Sequence, residues 1–238
     1  MEYKNSFILT DDPGLIARGR EYGVTEFTVA SSFPERFGGL PGVTVCKTVR
    51  KPADCDYPRL FLPALTDDNV TDAVAEAVLS GKSAAICAAG YSLDESGAVD
   101  VRFRLSPVQL LHKLGLLDGG TVVGGTYLDR DDVDLMAQCE AKLVLCPTSS
   151  MGHGYGVPHY PAYIRKLDVM LGSGDNRFNR GGDMLAEARA LVLGCNSEMR
   201  SGRRLKKIVR VLFRYRSPRS RQTSFRVGFL GYISYRPK

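Results

Sequence analysis

Three histidines, His112, His153 and His159, and six cysteines are the side chains of this 238-residue chain best suited to nucleophilic or metal chemistry. No two of the histidines are separated by a single residue, and the cysteines at 46, 55, 87, 139, 146 and 195 form no C-x-x-C pair. A catalytic zinc or iron needs about three converging protein ligands, so local spacing alone does not spell out a metal centre. His153 and His159 flank a loop rich in small residues (Ser149, Ser150, Gly152, Gly154, Gly156, Pro158), and Asp175 follows further on. In such a loop a histidine either meets a substrate or is solvated. Asp175 reads either as a metal ligand or as a loop carboxylate bonded to nearby backbone N–H groups. His112 falls in an amphipathic segment beside Lys113 and reads as a surface residue. The cysteines lie largely in apolar runs and read as reduced, buried thiols of a cytoplasmic protein.

The elements that must position these residues follow from periodicity. Short apolar runs near 25–30, 43–49, 60–65, 84–89, 121–124, 142–146 and 169–172 are bounded by turn residues and separated by longer amphipathic stretches. Helices are expected over 13–22, with Asp11 or Asp12 as cap, and over 70–79 behind Asp67 or Asp68. Others are expected from Ser106-Pro107 to Leu116, where the serine caps and the proline fills the first turn, and over 129–139. Strands alternating with helices argue a parallel α/β sheet, and one barrel of this class takes about 250 residues. No apolar run reaches the ~20 residues that cross a bilayer, and the N-terminus lacks a basic segment followed by an apolar core, so no membrane partner is expected.

The segment from Leu143 to Leu185 adds a more specific signal. A strand ends in Pro147, Ser149 and Ser150. A loop with Gly156 and Pro158 and a helical stretch follow, and a second strand ends at Gly172, Ser173 and Asp175. This order resembles the amidohydrolase superfamily, in the branch of cytosine, guanine and adenosine-derivative deaminases and triazine hydrolases. There a Pro-x-Ser-Asn turn precedes a Gly-x-x-Pro loop, a helix and a Gly-Thr-Asp strand end. Ser106 to Leu117 and Asp183 to Ala190 resemble the helices before the sixth strand and after the eighth, so the likeness covers roughly 83–195. It implies a partial or truncated TIM-like (β/α)8 barrel and a zinc- or iron-dependent hydrolase or deaminase acting on C–N bonds of cyclic nitrogen compounds.

The resemblance also implies where ligands belong: a His-x-His pair on the first strand, His on the fifth and sixth, and Asp on the eighth, with a proton-shuttling Glu three residues after the fifth-strand His. Here Cys87 and Gly90 match the fifth-strand His and Glu, Gly124 and Gly125 stand where the sixth-strand His-Gly belongs, and Gly174 rather than Asp175 matches the Asp. With one carboxylate and one thiol left, the expectation is a degenerate site that binds no zinc or iron and does not deaminate by itself. Cys87, Gly124, Ser150, His153 and Asp175 are the expected lining of the strand-end pocket. Cys87 is either a substitute ligand or a small buried strand residue. The rival reading is a non-catalytic barrel that binds a small molecule or a partner.

Charge divides the chain near residue 200. Thirteen of the 32 Lys and Arg, and none of the 26 Asp and Glu, fall in 200–238, leaving 19 basic against 26 acidic side chains in 1–199. Residues 1–199 are read as the barrel and 200–238 as an Arg/Ser/aromatic tail whose self-repulsion favours an extended segment. That tail could neutralise phosphates and stack bases, which makes an RNA-associated protein the third reading.

Overall fold

In the computed structural model, the chain is described over residues 3–158, 163, 165–199, 225–227 and 233–235. Nine strands form one sheet: β1 (Tyr3–Leu9), β2 (Val24–Ser31), β3 (Val43–Thr48), β4 (Arg59–Leu62), β5 (Ala84–Ala89), β6 (Thr121–Gly124), β7 (Lys142–Leu145), β8 (Asp168–Leu171) and β9 (Gly174–Asp175). The sheet order is β8-β7-β6-β5-β4-β3-β2-β1-β9, and every neighbouring pair is parallel. Residues 168–175 therefore pair with β7 through their first half and with β1 through their second, which curls the sheet back on itself. All seven expected strand regions are present.

Among the described residues the jacket of helices is incomplete, and the fold is a partial TIM-like barrel. Helix α1 (Gly14–Glu21) follows β1, but single 3-10 turns at Pro34–Phe37 and Pro52–Asp56 make the next two crossovers. Helix α2 (Asp68–Leu79) precedes β5, α3 (Leu93–Phe103) and α4 (Pro107–Lys113) precede β6, and α5 (Arg130–Gln138) precedes β7. Helix α6 (Pro147–Gly152) leaves β7, and α7 (Met184–Met199) follows β9. Local chemistry sets these starts. Asp67 accepts from Val70 N–H at the head of α2, and Ser106 and Gln109 form a reciprocal capping box around Pro107. Asp129 accepts from Asp132 N–H at the head of α5. At α1 the N-cap is Pro13, and Asp12 accepts from Gly14 N–H one position outside the helix.

Strands buried on both faces separate an inner core from two outer ones, the smaller of which joins β1 and β2 to α1 through Ile8, Val24, Phe27, Val29, Leu15 and Ile16. The inner one takes one side chain from most strands: Phe7, Ala30, Cys46, Phe61, Ala88, Val123 and Val144, with Met170 packed against it. The Phe7 and Phe61 rings meet across this space at 4.8 Å between centroids. The larger outer core joins the other faces of β4 to β8 to α2, α4 and α5, through Leu60, Leu62, Cys87, Val74, Leu111 and Met136 among others. The lumen is thus a packed interior, and chemistry is confined to the rim where the strands end.

Strand β1 and helix α3 were not expected. In β1, Asn5 and Ser6 are buried polar residues that break the apolar run; Asn5 donates to Ser173 Oγ at 2.7 Å and accepts from Ser173 N–H at 3.1 Å. Among the tail residues, β10 (Phe225–Val227) and β11 (Ile233–Tyr235) pair antiparallel. The other expectations for 200–238, and the helical stretch expected after Pro158, lie largely outside the described residues. Among the described residues, no helix is long and apolar enough to cross a membrane.

Candidate functional site

Asp175 ends β9 and is the most heavily engaged carboxylate of the strand-end rim. Arg177 clamps it, with Nε 3.0 and 2.9 Å from Oδ1 and Oδ2 and Nη2 2.6 Å from Oδ2, while Arg177 N–H also donates to Oδ1 at 2.9 Å. His153 Nε2 lies 3.3 Å from Oδ2. Partial burial would push the Asp175 carboxyl up, but the Arg177 hydrogen bonds and charge, with His153, override it and hold the group below the usual carboxylate value. Asp175 thus accepts from a neighbouring backbone N–H, as a loop carboxylate does, and carries a guanidinium clamp as well.

Rings gather beside this ion cluster. His153 stacks on Tyr155 at 5.1 Å with 13° between planes, meets Phe178 edge-on at 4.7 Å, and Tyr155 lies 5.5 Å from Tyr91. Helix α6 carries His153 at its C-terminal end and Ser150 on its buried side, where Thr126 Oγ1 and Ser150 Oγ lie 3.4 Å apart. Ser149 Oγ accepts from Asp175 N–H at 3.3 Å. Helix α6 is itself fixed from below. Glu187 on α7 is fully buried and accepts from Thr148 N–H at 3.0 Å, from the Thr148 hydroxyl, and from Asn179 Nδ2 at 2.7 Å. Burial pushes the Glu187 carboxyl up to about 7 against these hydrogen bonds.

Of the expected pocket residues, Ser150, His153 and Asp175 are brought together through α6. Cys87 is not with them. Its thiol packs in the outer core against the helices, and burial pushes it up to about 12. Ala88, the next residue, is the one that faces the lumen. Gly124 is at the rim with φ +118°, and an added Cβ would lie 2.8 Å from Tyr91 Cβ and 3.0 Å from Ala89 O, so no side chain fits there without movement. Gly174 is equally crowded, 2.7 Å from Ser149 Cβ and 2.8 Å from Cys146 Cβ, which forces the carboxylate to 175. His159 lies outside the described residues.

Sequence reasoning missed Arg177, Tyr91, Tyr155 and Phe178, although Arg177 sits only two residues beyond Asp175. It also missed Glu95, in the first turn of α3 just after β5. This carboxylate is buried, both its oxygens lack a hydrogen-bond partner of good geometry, and burial pushes it up to about 7, with the charge of Asp132 adding to the rise.

No protein-family model matches the chain. Sequence and fold nevertheless carry the expected likeness: the chain is similar to deaminases and triazine hydrolases. A 94-residue stretch, 39% of the chain, is 32% identical to a 5-methylthioadenosine/S-adenosylhomocysteine deaminase of Pyrococcus furiosus, of which it covers 22%. Guanine deaminase from C. acetobutylicum superposes with a TM-score of 0.64 at 16% identity over 76% of this chain and 52% of that one. The triazine hydrolase of Arthrobacter aurescens gives 0.69 at 13% identity over 90% and 68%. The chain thus spans about half the length of the guanine deaminase and a smaller share of the curated relative.

The donor set at the rim does not fit the zinc or iron that the resemblance implies. Phe7 and Leu9 of β1 pack with the apolar lumen, Ala88 and Val123 hold the inward positions of β5 and β6, and Asp175 is already clamped by Arg177. Only His153 and Asp175 pair there among the described residues.

Proposed function

We propose that this chain is an amidohydrolase-like barrel that has lost metal-dependent deamination and keeps a strand-end rim able to bind a small planar ring compound. The observation that carries the reading is the state of Asp175. A ligand carboxylate must offer its lone pairs to a metal, and here both oxygens are taken by a guanidinium, an arrangement worth more than an ordinary hydrogen bond. A hydrolytic water with its pKa lowered by metal has no set of donors to hold that metal.

The ligand class follows from the rings. Tyr91, Tyr155, His153 and Phe178 form an aromatic cluster next to hydrogen-bonding groups, a surface that suits a cyclic nitrogen compound better than an extended or branched one. The similar proteins are a guanine deaminase, a triazine hydrolase and a methylthioadenosine deaminase, which supports that class for this chain.

Binding is tested by the rise in unfolding midpoint on adding guanine, cytosine or adenosine to the full-length chain. At least one should stabilise it, and Tyr155→Ala should remove the effect. No stabilisation by any ring compound tried would overturn the binding half of the proposal.

A further inference from the structure

The end of the barrel away from the rim carries a second cluster of ligating atoms. His112 is in the last turn of α4, Asp118 lies in the connection leading to β6, and Cys139 is the C-cap residue of α5. One nitrogen, one carboxylate oxygen and one sulfur from these three residues all lie within 4.8 Å of one another. We propose that His112, Asp118 and Cys139 form a binding site for a divalent transition-metal ion of borderline softness, zinc(II) being the type.

The distances suit that ion. Zinc–nitrogen and zinc–sulfur bonds of about 2.0 and 2.3 Å at a tetrahedral angle set the two donors about 3.5 Å apart. His112 Nδ1 and Cys139 Sγ are 3.4 Å apart. The set of imidazole, carboxylate and thiolate suits zinc or cobalt over magnesium or calcium, which take oxygen ligands. Three protein ligands leave a fourth position to water, and the exposure of His112 and Asp118 gives the ion a path in.

The backbone holds the donors in place before any ion arrives. Gly119 N–H donates to Cys139 O at 2.8 Å, which ties the Asp118 loop to the end of α5, and Gly115 N–H donates to His112 O at 3.0 Å. The backbone therefore has little conformational entropy left to lose on binding.

The charges of the set also match a dication. On binding, Cys139 gives its proton to solvent, the freed sulfur lone pair forms the bond to the metal, and thiolate and carboxylate together neutralise the ion.

The site differs from the other cysteines. Cys46, Cys87, Cys146 and Cys195 are buried, and Cys55 sits between Asp54 and Asp56 without a histidine.

Cobalt(II) chloride titrated into the reduced, full-length protein tests the assignment, because a thiolate-to-cobalt charge-transfer band reports sulfur ligation directly. The expected result is a band that saturates at one equivalent, is displaced by zinc, and is unchanged in Cys55→Ser. It should be absent in Cys139→Ser and His112→Asn, and need at least ~10-fold more cobalt in Asp118→Asn. No band in the unmodified protein, or a band that survives Cys139→Ser, would overturn the proposal. Should the serine variant misfold, alkylation of the unmodified chain decides: zinc must slow the modification of Cys139, and an unchanged rate contradicts the site.

Discussion

His153 Nε2 and Asp175 Oδ2 lie 3.3 Å apart, joining the end of α6 to the end of β9. With Arg177 on the same carboxylate, this contact closes the rim between the last two crossovers. Because the folded-state pKa of Asp175 is depressed, its stabilisation is present above the ordinary carboxylate value of 3.8 and is lost as pH falls through the lower folded value. Asp175→Asn should therefore cost on the order of 1 kcal/mol at pH 7 and progressively less in acid. Urea unfolding of both proteins at pH 7 and pH 3 measures the difference, and an equal cost at the two values would contradict the assignment.

Glu95 and Glu187 act with the opposite sign. Burial raises both from 4.5 to about 7, so the folded chain holds protons that the unfolded chain has released. The stabilisation is complete below about pH 4.5 and is lost as pH rises through about 7. Each group contributes roughly 3 kcal/mol to that change. The protein should unfold at higher urea at pH 5 than at pH 8, and Glu187→Gln should flatten the slope while keeping an acceptor for Thr148. A slope unchanged in both Glu187→Gln and Glu95→Gln would show that neither carboxyl carries it.

Restoring the absent histidines should damage the fold rather than rebuild a metal centre. Gly124→His forces a side chain onto a φ of +118° and into Tyr91, and Cys87→His places an imidazole among the helices of the outer core. Each should cost about 2 kcal/mol or more, or some 4 °C and upward in midpoint for a chain of this size. Thermal unfolding reads this, and a Gly124→His/Cys87→His protein of parental stability that gained a metal would contradict the side-chain directions described above.

These directions explain what the sequence could and could not tell. The parallel strands from β2 to β8 were legible as apolar runs bounded by Gly, Pro and Asp. Which face a residue takes was not, because a strand buried on both sides has no polar alternation to mark it. Cys87 was therefore aligned with the rim and is found with the helices, one residue from lumen-facing Ala88. Strand β1 hid behind Asn5, whose burial is satisfied by Ser173, 168 residues away. Glu95 and Glu187 carry no mark in the sequence, since only tertiary packing makes them buried. The Asp175 position, by contrast, was readable from the Gly172-Ser173 strand end.

The inner core offers a plain test of the curled sheet. Phe61→Ala removes a ring that touches Phe7 across the lumen and should cost about 3–5 kcal/mol. Denaturant unfolding measures it, and a cost below ~1 kcal/mol would mean that the two strands do not enclose a packed interior.

Metal content cannot decide whether the barrel is a hydrolase, because the cluster of His112, Asp118 and Cys139 would bind an ion without any chemistry at the rim. Ammonia release can. The full-length protein, reconstituted with zinc or with iron(II), should liberate no ammonia from guanine, cytosine or adenosine above the rate of the same mixture without protein. Turnover of any of these that a chelator abolishes and added metal restores would contradict the loss of metal-dependent deamination.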